Sequence, residues 1–246
     1  MRDYLLDIVK NTFDLGCITT VKVTGNDQTT TLDAVADNRT VVVSAVFHAP
    51  IPEFIGVFGM PNLDKLKIIL NTQEYRDTGT ISIKQQDRSG TGKLEPVGLH
   101  FSNSSGDFVN DYRFMTSEVV AETLKTAKPK KTPSWIIEFE PTVAGVQRLK
   151  MQASAHSDER IFKVKTDKDL LKLSFGDHST HAGEFVFHAG ITNHLKHDWY
   201  WATKEVIAIL DLAGDKIMRI SDEGVAEITV DTGLAVYRYA LLAQTK

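Results

Sequence analysis

A single cysteine, Cys17, stands in a chain of 246 residues. It excludes an intrachain disulfide and fits a reducing compartment. At the head of the β-branched run CITTVKVT it reads as a small apolar strand residue, not as a nucleophile. No apolar run is long enough to span a bilayer, so no membrane contact is expected. The N-terminus MRDYLLDIVKNTF mixes charges into its apolar positions and has no signal-peptide core, so the chain reads as cytoplasmic. No GxSxG or HExxH occurs, and no serine or cysteine stands out beside a histidine and an acid. A GTGK does occur, in RSGTGKLEP, but a phosphate-binding loop needs GxxxxGK[ST] ahead of a helix. Here Asp87 lies five residues before Gly92, Leu94 follows Lys93, and a strand comes next, so the stretch reads as a hairpin. Nothing argues for an enzyme or a cofactor. An excess of positive charge is also missing: the formal net charge is −4. That excludes a protein coated in cations, but not one with a local basic surface.

What the chain does have is an ordinary soluble composition, 42% hydrophobic and 24% charged, at a length that suits two domains. RDYLLDIVKNTF spaces Leu5, Ile8, Val9 and Phe13 along one helical stripe, with Asp7, Lys10 and Asn11 off it. CITTVKVT and RTVVVSAVF read as strands, with turn signals GNDQ and ADN between strands. PIPEFIGVFG reads as a short helix, and LKIIL, GTISIKQ, VGLHFS and DYRFMTS as four strands. Residues 117–134, rich in lysine and holding two prolines, read as an interdomain connector. After it come the strand SWIIEFE and the helix PTVAGVQRLKMQASAHSD. Val143, Val146, Leu149 and Ala153 form the buried stripe of that helix, with Arg148, Met151 and Gln152 opposite. RIFKVKT, DLLKLSFG and EFVFHA read as strands, GITNHLKHD as a short helix or turn, and KEVIAILDL, KIMRISD, VAEITVD and LAVYRYALLA as closing strands.

This order repeats. The word VFHA occurs at Val46–Ala49 and again at Val186–Ala189, an offset of 140. The first helix, near Tyr4, has its counterpart near Ala144 at the same offset, and VKV at Val21–Val23 answers FKV at Phe162–Val164. Collinear elements at a spacing of 140 or 141 residues point to an internal duplication of helix, three strands, short helix and four strands. The expected division is a first domain over 1–116, the connector over 117–134 and a second domain over 135–246.

Two groups of side chains have chemistry to weigh. His178, His181, His188, His194 and His197 lie close in sequence, with Asp198 beside them, and imidazoles plus a carboxylate suit a transition metal. No motif spacing supports a metal site, and polar surface histidines are the plainer reading. The second group is cationic: Lys10 on the first helix, Arg148 and Lys150 on its counterpart, and Lys196 between His194 and His197 in the second short helix. Together these cations have the charge to touch a phosphate backbone without reading bases.

The segments Leu5–Phe13, Phe47–Leu70, Ala144–Ser154 and Ala226–Ala243, in this order, resemble the DNA sliding clamps. The nearest likeness is to those of tailed bacteriophages, related to the trimeric proliferating cell nuclear antigen type. The resemblance implies an α+β clamp fold, two tandem similar domains of antiparallel strands with helices on one face. It implies a viral homotrimeric ring in the host cytoplasm that encircles duplex DNA as a processivity factor and performs no chemistry. The implied partners are the replicative DNA polymerase, a clamp loader ATPase and late-transcription factors. Carried over onto this sequence, the DNA-facing cations are Lys10, Arg148, Lys150 and Lys196, with Arg2, His194 and His197 as lesser candidates. PIPEFIGVFG has no Lys or Arg, which leaves the first domain thinly charged. The aromatic run Trp199-Tyr200-Trp201 reads as core or loop anchor before partner pocket. The other functions weighed are a metal-dependent hydrolase on the 178–198 histidines and a phage structural or assembly protein.

Overall fold

The computed structural model describes residues 1–76, 78–87, 92, 94–124, 133–177 and 181–245. They form two units. The first takes the described residues of Met1–Asp37, Val43–Ala127 and Thr232–Tyr237; the second takes those of Asn38–Val42, Lys128–Asp231 and Arg238–Lys246.

The first unit opens with helix α1 (Arg2–Asn11), followed by strands β1 (Val21–Gly25), β2 (Thr30–Val35), β3 (Val41–Phe47) and β4 (Gly56–Met60). Helix α2 (Leu63–Asn71), strands β5 (Thr80–Gln86), β6 (Glu95–Ser102) and β7 (Val109–Arg113), and helix α3 (Ser117–Thr123) complete it. The strands order as β4-β1-β2-β3 and as β5-β6-β7. Burial alternates along β1 and β2, so Val21, Val23, Leu32 and Ala34 share one face. Leu5 and Ile8 of α1 and Leu63, Leu66 and Leu70 of α2 are fully buried. Each such side chain contributes about 2 kcal/mol by leaving water.

The second unit begins with β8 (Trp135–Phe139) and α4 (Val143–Ala155). Then come β9 (Ile161–Asp167), β10 (Leu170–Phe175), β11 (Gly183–Ala189) and β12 (Trp199–Ala202). Helix α5 (Thr203–Leu210) leads into β13 (Asp215–Ser221), β14 (Val225–Asp231) and β15 (Ala235–Leu242). One sheet runs β11-β10-β9-β12, the order of the first unit over again; the other strands run β15-β14-β13-β8.

The order of elements does repeat, but its content differs from the sequence reading. Each copy is a helix, four strands, a helix and three strands, where a helix, three strands, a short helix and four strands were expected. PIPEFIGVFG is no helix. It makes one turn, with Phe54 N–H donating to Ile51 C=O at 2.9 Å. Gly56 then takes φ +106 and the chain runs on as β4, paired antiparallel with β1. LKIIL is no strand; it lies inside α2. In the second copy GITNHLKHD is not helical: Gly190 takes φ +84, and the Asp169 carbonyl accepts from both Gly190 and Ile191 N–H. KEVIAILDL, read as a strand, holds α5.

Two details of the helices also differ. Asn11 is buried and not on the solvent side of α1, with its Nδ2 donating to Asp7 Oδ1 at 3.0 Å. Val143, expected on the buried stripe of α4, is 80% exposed. It stands in the first turn, where Thr142 caps the helix by accepting from Gly145 N–H at 3.0 Å. The start of the stretch read as a connector is helix α3, whose Val120 is buried; residues 125–132 lie outside the described set.

The two VFHA words close equivalent strands. Phe47 and Phe187 are both buried. Phe47 meets the α1 ring Tyr4 edge-on at 5.8 Å. A Cβ on Gly145 of α4 would stand 2.7 Å from the Phe187 carbonyl. The glycine is what lets that helix approach its strand so closely.

Candidate nucleic-acid interface

In the first unit α1 packs against α2, and in the second α4 packs against α5. The four helices carry seven Lys or Arg against four Asp or Glu, within a chain of net charge −4. The remainder of the molecule is correspondingly acidic. Cations gathered on helices raise the local potential without making the protein basic as a whole.

The candidates named from sequence fare differently. Lys10 is exposed in the last turn of α1. Arg148 is exposed on α4, with Nη1 donating to the Val186 carbonyl at 3.4 Å. Lys150, half-buried, is ion-paired with Asp211. Arg2 has a structural task. Its guanidinium donates to the carbonyl of Leu70, left over in the last turn of α2, and to that of Tyr75, just beyond the helix. Lys196, His194 and His197 are exposed, but on a non-helical turn and not on the second short helix expected for them. The Lys196 N–H donates to Asp222 Oδ1 at 2.8 Å, and His197 stands edge-on to Trp199 at 6.0 Å.

Misplacing the second helix of each copy hid three cations. Lys65 and Lys67 lie on α2, and Lys204 lies on α5. Lys65 and Lys204 are exposed. Lys67 is ion-paired with Asp14 at 2.8 Å and sits over the Phe13 ring at 5.7 Å. The first unit is thus better supplied with helical cations than PIPEFIGVFG suggested. The signal was in the longer windows. Leu63, Leu66 and Leu70 are spaced i, i+3, i+7, and Thr203, Val206 and Leu210 repeat that spacing.

The histidines do not gather. His181, His194 and His197 are exposed; the His188 ring lies tilted against Phe139 with centroids 4.4 Å apart, and burial lowers its pKa. His178 lies outside the described residues. Among the described residues no group of three or more His, Cys, Asp or Glu is placed to hold a metal ion. Lys93 of the GTGK also lies outside them; β5 and β6 on either side pair antiparallel. In the aromatic run Trp201 is buried in β12, and Gly224, at φ +77, comes close to the Trp199 ring.

No protein-family profile matches the chain, and no curated protein does. A solved structure does: the C-terminal region of FEN-1 bound to A. fulgidus PCNA. The TM-score is 0.67 and the identity 9%, over 100% of this chain and 97% of that chain. At such identity the likeness is one of fold. The repeated α+β units, their antiparallel sheets and their paired helices together give this chain a PCNA-like clamp fold.

Proposed function

We propose that the protein is a DNA sliding clamp, a non-catalytic ring that encircles duplex DNA and tethers a replicative polymerase. The observation that carries this reading is the excess of cations on the four paired helices of a net acidic chain with a PCNA-like fold. Lys10, Lys65, Arg148 and Lys204 are the proposed phosphate contacts, with Lys150 held in reserve by Asp211. Contacts to phosphate alone suit sliding, because base readout would fix the ring at one sequence. Acidity elsewhere limits non-specific adhesion. The ring is proposed as a homotrimer opened by a loader ATPase, with the polymerase, and late-transcription factors, docking through short peptides. FEN-1 bound to PCNA is a complex of that general kind in another protein. The bacteriophage setting belongs to the same proposal.

Light scattering on the purified protein tests the ring. The expected mass is three times 27.4 kDa, and a monomer at all accessible concentrations overturns it. Retention on DNA tests the topology. Once loaded, the protein should stay on a nicked circular plasmid and be lost when that plasmid is cut to a linear form. Equal retention on both forms counts against encirclement.

A further inference from the structure

We propose that a groove in the second unit docks a partner protein segment bearing aliphatic side chains flanked by lysine or arginine. It lies between the N-terminal end of α4 and the turn leading from α5 into β13. The groove encloses about 640 Å³. Its lining is mixed: Val146, Leu210 and Ile217 supply aliphatic surface beside polar and charged side chains. Val143 stands on its rim, 80% exposed. Val143 takes no part in the cap of α4. The cap is made by Thr142, and the first helical turn favours acidic side chains, of which α4 has none. Leaving that side chain in water costs free energy that a bound aliphatic would recover.

The charges decide which segment fits. Glu140 and Asp215 line the groove as exposed carboxylates, and neither takes a hydrogen bond or ion pair from a described residue. Asp211 is occupied by Lys150. The groove already seats one ammonium of its own: Lys216 Nζ donates to the carbonyls of Leu212 and Gly214, the latter at 3.0 Å. That leaves Glu140 without a cation, and Asp215 with no more than the field of the nearby Lys216 ammonium, beside aliphatic side chains. A purely aliphatic segment would strip water from both carboxylates without replacing it. A nucleic acid or an acidic peptide would be repelled. Lysine or arginine beside leucine or valine satisfies both demands. This inference does not rest on the DNA reading.

The test is fluorescence anisotropy with a fluorescein-labelled peptide of alternating lysine and leucine. It should bind saturably, and the Glu140→Gln/Asp215→Asn protein should bind it about tenfold more weakly. Val143→Ser should also weaken it. The control Asp27→Asn/Glu53→Gln, which removes two exposed carboxylates from the first unit, should change nothing. Unlabelled spermidine, with charge but no aliphatic side chain, should fail to displace the peptide. Absence of saturable binding, an equal loss in the control protein, or displacement by spermidine at the peptide's own concentration each overturns the proposal.

Discussion

Asp7 turns its carboxylate inward from α1. It accepts from the Tyr237 hydroxyl at 2.8 Å and from Asn11, yet burial outweighs these bonds and the nearby Lys10 and raises its pKa above 3.8. A carboxyl whose folded pKa exceeds its unfolded value adds most to stability below the unfolded value. That contribution is lost as pH rises through the folded one. The wild type should therefore be favoured over Asp7→Asn more strongly at about pH 4 than at about pH 7. Melting curves at the two pH values check this, and a constant difference between the proteins would sink it. Arg2 teaches a related lesson. Its type and place suited a phosphate contact, but its donors are used on the carbonyls of Leu70 and Tyr75. A sequence reports that a cation exists, not whether the fold has already engaged it.

Helix α3 is held on β4 by the absence of a side chain. A Cβ on Gly59 would stand 2.8 Å from Val120 Cγ2 and 3.1 Å from Met115 Cβ. Gly59 and Met115 also exchange two backbone hydrogen bonds, at 3.1 and 2.8 Å. Gly59→Val should lower stability by about 2 kcal/mol through overpacking. Adding Val120→Ala should restore part of that loss, because it empties the space the new methyls need. Urea titration of the single and double variants measures it; strict additivity would show that the two positions do not compete for space. The same strand explains a misreading. Phe58, Gly59 and Met60 are all buried, so β4 lacks the alternation that marks a half-buried strand. Short apolar runs of this kind do not separate strand from helix by periodicity.

Across the whole molecule the proposed DNA contact is a matter of charge distribution. Reversing Lys10, Lys65, Arg148 and Lys204 together to glutamate should abolish retention on circular DNA, while Lys196→Glu should leave most of it. The salt dependence of DNA binding should flatten by about one unit of log–log slope for each phosphate contact removed. A Lys196 variant as weak as the fourfold variant would move the contact surface off the helices. The sequence by itself determined the repeat, the first helix of each copy and most strands, because these rest on local periodicity: Leu5, Ile8 and Val9 on α1, Val21 and Val23 on β1. It also determined that cations lie in both copies. Tertiary structure decided which short apolar runs became helices: LKIIL and VIAIL read alone suit a strand as well, and the helical spacing shows only when Leu63 and Thr203 are counted in with them. It decided, too, which cations remain free. Arg2, Lys67 and Lys150 are engaged by acceptors 53 to 73 positions away in sequence but adjacent in space, and only the folded chain brings such partners together.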